Sequence, residues 1–212
     1  MHPARAIALT SDGAVHWPIP LNPRGSSKYM PLKEDGSRDV VDKPTLEETW
    51  AKFEALLKTG KVKSIGVANM SPKYMERLLK TATIVPAVDQ IELHPYLPQN
   101  EVVEWLQAHK VVPQAYSPLG STSSPILRDE TLLKLAAKYG CTVGQLCISW
   151  QVCRGVSVIP KSVTPSRISE NAKLVDIAPE DVKTISSFAA KEGKTKRFIV
   201  GSWNTDFGFG DW

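Results

Sequence analysis

A run of polar residues in the last third of the chain has the chemistry of an anion-binding loop. Lys161 and Ser162 follow the apolar run GVSVIP, and Arg167 comes where a helix would begin. A phosphate group needs fixed positive charge and hydrogen-bond donors held in a rigid frame, and these residues supply both. A helix N-terminus also suits an anion. Taken alone, the string fits a solvated basic surface after a strand as well.

Polar side chains also follow or end three earlier apolar runs. Asn69 ends KSIGVAN, Gln90 lies in PAVDQIEL, and Tyr116 and Ser117 end VVPQAYS. An amide binds another amide well because each offers a donor and an acceptor, and an aromatic face stacks on a planar ligand. For each position alone, a polar strand end or a buried tyrosine without a ligand is the alternative.

These apolar runs alternate with helix-like segments from Thr45 onward. Thr45 and Glu48 have the spacing of a capping box, and Ser71 followed by Pro72 predicts the next helix start. Strands that alternate with helices predict a parallel sheet with right-handed crossovers, covered on both faces. We count four clear strands and one damaged strand, ALTSDGAV, which Ser11, Asp12 and Gly13 interrupt.

Two architectures fit this alternation, a doubly wound sheet and a (β/α)8 barrel. Nearly every strand ends in polar residues, and a barrel carries its active site on the loops at that end. No strand is followed by a G-x-G-x-x-G turn, which counts against a dinucleotide-binding doubly wound sheet. The sequence therefore favours the barrel.

The composition is that of an ordinary globular protein. Hydrophobic residues make up 42% and charged residues 23%, enough for a packed core. The net charge of +4 is not concentrated in any Lys/Arg run, so we expect no nucleic-acid partner and no membrane partner. The cysteines Cys141, Cys147 and Cys153 form no CxxC pair, which predicts reduced thiols in a cytoplasmic protein and no metal site.

Five strings in order carry a family resemblance: VHWPIPLNP, SIGVANMS, VDQIELHPY, QAYSPLGS and VIPKSVTPSRISEN. From about Val15 onward the chain resembles the aldo-keto reductases, in particular the fungal-type and aldose-reductase-like members. The resemblance implies a (β/α)8 TIM-barrel type fold, of which the chain holds about the last four to five βα units and the C-terminal loop. It also implies NADPH-dependent reduction of aldehydes or ketones to alcohols, with a small aliphatic or sugar-derived carbonyl compound as substrate.

The resemblance assigns the anion-binding loop to the cofactor. The residues that match Lys161, Ser162 and Arg167 hold the 2′-phosphate of NADPH in the family, and those that match Glu170 and Asn171 contact its adenine.

The earlier strand ends match the part of the family's site that holds the nicotinamide. Tyr116 matches the tyrosine that stacks on this ring, and Asn69 and Gln90 match residues that hydrogen-bond its carboxamide. The loop that closes over the pyrophosphate is matched by Ser117, Leu119 and Ser121.

The VHWP string matches the substrate side of the family's site. His16 matches the active-site histidine, which orients the substrate carbonyl and donates a hydrogen bond to it, and Trp17 matches a wall of the pocket. His94, in ELHPY, is interpreted as structural. The C-terminal loop or tail, 196–212, either lines the pocket or is a frayed terminus. Its aromatic candidates are Phe207, Phe209 and Trp212.

Three catalytic residues of the family lie before the HWP string. They are a tyrosine that protonates the carbonyl oxygen, and a lysine and an aspartate that lower the pKa of that tyrosine. The fifteen residues before His16 contain no Tyr and no Lys, and Asp12 lies in no matching motif.

We therefore expect one partial domain over 1–212, N-terminally truncated, with an atypical segment at 1–14. The alternative to a working reductase is a relative that at most binds NADP(H). An incomplete barrel would expose strand edges, which predicts self-association, or an unfolded or aggregating product.

Overall fold

The computed structural model describes residues 13–27, 29–121, 124–201, 203 and 205–210. Within these residues, strands and helices alternate along the chain, with a 3₁₀ turn at Ile126–Arg128 before α4. The strands are β1 (Gly13–Val15), β2 (Ile65–Ala68), β3 (Val88–Glu92), β4 (Val112–Tyr116) and β5 (Ser157–Val158). The helices are α1 (Leu46–Leu57), α2 (Pro72–Leu79), α3 (Asn100–Ala108), α4 (Glu130–Lys138), α5 (Val143–Cys153), α6 (Pro165–Asn171) and α7 (Pro179–Lys191).

Local capping signals start two of these helices. At α1 the Thr45 hydroxyl accepts the Glu48 backbone N–H at 3.2 Å, and the Glu48 carboxylate accepts the Thr45 N–H at 2.8 Å. Thr142 and Gln145 form the same reciprocal pair at α5. Each pair satisfies two backbone donors that have no partner inside the helix, so these helix starts are fixed by residues three apart.

Two other helix starts differ in detail from the sequence prediction. Asn100 is the first residue of α3 instead of its cap, and its side-chain amide donates to the Ser186 carbonyl at 3.0 Å. Ser71 precedes α2 as expected, but its hydroxyl makes no cap hydrogen bond. The fixed φ of Pro72 starts α2 instead.

The strands form one sheet in the order β1-β2-β3-β4-β5 within the described residues. The pairs β1–β2, β2–β3 and β4–β5 are parallel, with Gly13 opposite Ile65 and Ala68 opposite Gln90. The strand order follows the chain order, whereas a doubly wound sheet reverses it at a switch point. The prediction of a parallel α/β fold of the barrel type is confirmed, with the interrupted strand present as β1.

The described residues fall into two compact units. The first unit contains Ile91–Gln107 and Val112–Ile199, and the second contains 13–90, 108–111 and 200–210. In the core of the first unit, Trp150 is fully buried and its indole N–H donates to the Ser186 hydroxyl at 3.0 Å. In the second, Trp50 is 1% exposed and donates to the Ile84 carbonyl at 3.1 Å. The predicted boundaries at 14 and 196 remain predictions. Among the described helices, none is long and apolar enough to cross a membrane.

Candidate active site

The second unit places three of the predicted residues in one hydrogen-bonded group. Asn69 follows β2, and its side-chain amide donates to the His16 carbonyl at 2.9 Å. The Asn69 backbone N–H donates to the Gln90 carbonyl at 3.0 Å. His16 itself is exposed just after β1, so its imidazole is accessible to a ligand.

Left-handed backbone marks two of the predicted strand ends. Asn69 has a φ of +56° and Ser117 a φ of +48°. This region is uncommon for residues with a Cβ, although asparagine enters it more easily than most. Such conformations cost on the order of 1–3 kcal/mol each and concentrate at functional sites. The two residues therefore support, on backbone grounds, the functional interpretation of the ends of β2 and β4.

A pocket of about 390 Å³ opens beside His16 in the second unit. Its walls are mostly apolar, and they come from the end of β1, the loop after it and α1. The lining includes Val15, His16, Trp17, Ile19, Tyr29, Met30, Leu46 and Phe53. A mostly apolar pocket with one exposed imidazole at its edge has the character of a small-molecule site.

Trp17 anchors an aromatic cluster in the same unit. Its ring centroid lies 4.3 Å from that of Trp203 and 5.3 Å from that of Phe207. Phe207 is fully buried and Phe209 is 6% exposed, so these two residues of the tail are packed in the structure. Trp212 lies outside the described residues.

Sequence analysis missed Trp203, although the tail that carries it was singled out. It also missed Arg38, whose guanidinium carbon lies 5.3 Å from the Trp203 ring centroid. The loop around Arg38 has no periodicity or family string that would have drawn attention to it.

A groove of about 600 Å³ in the first unit gathers six of the predicted cofactor residues. They are Leu119, Lys161, Ser162, Arg167, Glu170 and Asn171. Ala136, Ala137 and Leu133 of α4 form an apolar wall, and Thr142 and Gly144 at the start of α5 close one side. The groove thus joins an apolar slot to a cluster of charged and polar groups.

The positive charges of the groove are not neutralised within the described part of the chain. Lys161 and Arg167 are exposed, and neither forms an ion pair with a described residue. The Ser162 hydroxyl accepts the Thr164 backbone N–H at 3.1 Å, which holds the loop between the two cations. Two cations and a hydroxyl beside an apolar slot suit a ligand that combines a phosphate with a flat ring.

The remaining predicted residues of the first unit lie outside the lining of this groove. Tyr116 is half-buried and ends β4, where its carbonyl accepts the Leu93 N–H at 3.4 Å. Ser117 begins a turn in which its carbonyl accepts the Gly120 N–H at 2.8 Å. Ser121 is half-buried and follows this turn.

His94 has the surroundings of a structural residue. It is fully buried, and its Nε2 lies 2.9 Å from the Glu92 carboxylate. Burial by itself raises the pKa of Glu92, but hydrogen bonds from His94 and the Phe198 N–H outweigh it and hold the pKa below its usual value. Within the described residues no group of three or more His, Cys, Asp or Glu side chains is arranged to hold a metal.

Comparison with known proteins gives a family match over most of the chain. A family model described as the aldo/keto reductase family matches residues 14–190. A Hypocrea jecorina protein named D-galacturonate reductase is 44% identical over 200 residues, which cover 93% of this chain and 65% of that relative. The chain spans less than two thirds of the length of the first curated relatives it matches.

Solved structures give the same likeness. The aldose reductase of Giardia lamblia matches with a TM-score of 0.85 and 30% identity, covering 95% of this chain and 68% of that one. A Bombyx mori aldo-keto reductase in complex with NADP matches with a TM-score of 0.73 and 31% identity, covering 91% of this chain and 60% of that one.

Proposed function

Because the chain belongs to the aldo/keto reductase family, we propose that it binds NADPH and reduces the carbonyl group of aldehydes or ketones to an alcohol. A small aliphatic or sugar-derived aldehyde is the substrate class we favour. The name of the relative from Hypocrea jecorina, a D-galacturonate reductase, supports this choice.

The observation that carries the proposal is the groove of the first unit. Six residues assigned to the cofactor from sequence line this one surface, although Leu119 is distant in sequence from the other five. In the proposed complex, Lys161, Ser162 and Arg167 bind the 2′-phosphate. Glu170 and Asn171 contact the adenine, whose ring lies against the apolar wall of α4. That a neighbour of similar fold was solved in complex with NADP supports the same ligand.

The residues of the second unit are assigned to the carbonyl substrate. The His16 imidazole donates a hydrogen bond to the carbonyl oxygen, where negative charge develops during reduction. Asn69 fixes the backbone of His16 through its 2.9 Å hydrogen bond, so it is a positioning residue. Trp17 forms an apolar wall that excludes water from the reacting carbon. When bound, NADPH supplies the hydride.

The strand ends complete the assignment. We place the Tyr116 ring against the nicotinamide, Asn69 and Gln90 at its carboxamide, and the turn of Ser117, Leu119 and Ser121 beside the pyrophosphate. The left-handed backbone at Asn69 and Ser117 supports these roles, because strained backbone concentrates where a ligand is held.

Binding of NADP(H) without turnover is the second candidate function. No residue of this sequence matches the family's tyrosine, lysine and aspartate, which supply and activate the proton. Following NADPH absorbance with a reactive aromatic aldehyde separates the two candidates. Steady oxidation of NADPH supports the reductase, whereas saturable binding without oxidation supports the binding protein.

Changing Arg167 to Ala tests the cofactor assignment. Losing one charge-assisted contact to the 2′-phosphate should weaken NADPH binding roughly 10- to 100-fold and leave NADH binding nearly unchanged. Isothermal titration calorimetry measures both affinities. Arg24 is exposed and lies in the second unit, so R24A is the matched control for loss of one positive charge. An equal loss for both cofactors would refute the phosphate role of Arg167.

A further inference from the structure

Two N–H donors in the aromatic cluster of the second unit are buried without an acceptor. They are the Nε of Arg38 and the indole Nε1 of Trp203, and neither has a hydrogen-bond partner among the described residues. A buried donor without an acceptor costs about 1–3 kcal/mol, and more if it is charged. Most buried polar groups in proteins are paired, so two unpaired donors in contacting residues indicate that an acceptor from outside the chain belongs there.

Arg38 and Trp203 lie on the substrate side of the candidate active site. The Arg38 guanidinium carbon is 5.3 Å from the Trp203 ring centroid, and the Trp203 ring is 4.3 Å from that of Trp17. Trp17 directly follows His16 in the chain. The Trp203 indole is folded tightly over Gly201, where a Cβ would lie 2.1 Å from Nε1, so only glycine allows this arrangement.

The charge of Arg38 is also uncompensated within the described residues. Its Nη1 donates to the Met30 carbonyl at 3.1 Å, but no described carboxylate forms an ion pair with it. The adjacent Asp39 instead accepts the side-chain amide of Asn22 at 2.9 Å. A half-buried guanidinium held by one carbonyl and an aromatic face retains N–H groups and a full positive charge for a ligand.

Water or a sugar hydroxyl would satisfy one of these donors but would leave the charge unpaired. A carboxylate supplies two acceptor oxygens and the opposite charge, and arginine matches its planar geometry better than any other side chain. We propose that Arg38, together with the Trp203 indole, binds a carboxylate on the substrate, so that the preferred substrate is a hydroxylated aldehyde that also carries an acid group. This inference rests on the proposed function, because it names the substrate class of the same site.

The test compares two acyclic ligands that differ in one terminal group. L-Galactonate and galactitol are the alcohols obtained by reducing D-galacturonate and D-galactose, and only the first has a carboxylate. Binding to the chain saturated with NADP⁺ is followed by tryptophan fluorescence, to which Trp17 and Trp203 contribute. We expect L-galactonate to bind at least roughly tenfold more tightly than galactitol, the gain typical of one charge-assisted contact.

Changing Arg38 to Met should remove this preference by weakening L-galactonate alone, while R24M, which also removes one arginine charge from the second unit, leaves it intact. Because Arg38 covers Trp203, circular dichroism checks that the variant is folded. R38K keeps the charge but loses the planar fork, and it should weaken L-galactonate several-fold without affecting galactitol. The proposal is overturned if wild type does not prefer L-galactonate, or if both Arg38 variants retain the wild-type preference.

The cofactor is titrated first and separately. If NADP⁺ fails to bind while the Arg38-dependent preference for L-galactonate is observed, the proposed function fails and the carboxylate site stands. If NADP⁺ binds and the two ligands bind equally, the carboxylate site fails and the cofactor assignment stands.

Discussion

Glu92 connects the end of β3 to the segment after α7, and changing it to Gln tests how firmly it does so. The carboxylate is fully buried and lies 2.9 Å from His94 Nε2. It also accepts the backbone N–H groups of Phe198 at 2.6 Å and Ile199 at 3.0 Å, and an Arg197 nitrogen lies 3.8 Å away. All these groups belong to the first unit.

The expected cost follows from the number of donors that face this carboxylate. A glutamine offers one acceptor oxygen, and its amide NH₂ would point at one of the three N–H groups. At least one charge-assisted hydrogen bond, typically about 1.5–3 kcal/mol, is then lost, and one buried donor is left unpaired at a further ~1–3 kcal/mol. We therefore expect E92Q to lower the free energy of unfolding by about 3–5 kcal/mol. For a chain of this size, that corresponds to a melting temperature at least roughly 6 °C lower.

Thermal unfolding followed by circular dichroism at pH 7 measures the effect, and E76Q is the control. Glu76 is exposed on α2, so its replacement should change stability by less than about 0.5 kcal/mol. The lowered pKa of Glu92 adds a pH signature. Its stabilising contribution is present above the unfolded-state pKa and is lost as pH falls through the lower folded-state pKa, so the difference between wild type and E92Q should shrink in acid. A loss below about 1 kcal/mol at pH 7 would refute the claim that this carboxylate holds the segment.

Two further predictions concern buried groups. Complete burial raises the pKa of Asp89 well above its usual value, against a weak hydrogen bond from the Met70 N–H at 3.5 Å. The carboxyl therefore costs stability as pH rises from its unfolded-state pKa. D89N should raise the melting temperature at pH 7 and lose this advantage near pH 4, and a less stable variant at pH 7 would contradict this. Burial also raises the pKa of Cys147 and Cys141, whereas Cys153 is exposed. Iodoacetamide should label Cys153 first and Cys147 only after unfolding, as read by mass spectrometry. NADP⁺ should slow labelling of Cys141, which lines the groove, and equal rates with and without NADP⁺ would count against that ligand.

The parts of the fold that the sequence predicts well depend on short-range signals. The capping pairs of α1 and α5 join residues three apart, so the sequence alone fixes where these helices begin. The sheet order is a long-range property, but the polar strand ends were sufficient to favour the barrel, because parallel strands bring their carboxyl ends to one edge. The cofactor groove was predictable for a related reason, since Lys161, Ser162, Arg167, Glu170 and Asn171 occupy one short stretch of chain.

The substrate side was less predictable because distant and irregular segments form it. Trp203 contacts Trp17 although nearly the whole chain separates them, and no pattern in either segment specifies the partner of the other. Arg38 lies in a loop held by two isolated antiparallel bridges, Leu21 to Val40 and Leu32 to Arg38. A charged residue in such a loop is indistinguishable, from sequence, from any solvated surface arginine. Only its missing carboxylate partner and its contact with an aromatic ring single it out.

Asn69 shows how a correct choice of residue can leave its contacts unspecified. The sequence predicts an amide that faces the carboxamide of a ligand, and the structure shows the same amide donating to the His16 carbonyl. Which group it reaches depends on a φ of +56° at this one residue, because the left-handed backbone redirects a side chain at the end of β2. Asparagine is suited to both demands, since its short side chain tolerates that conformation and its amide reaches a neighbouring carbonyl. The position of His16, and with it the hydrogen bond to the substrate, therefore depends on a backbone angle that no sequence pattern reports.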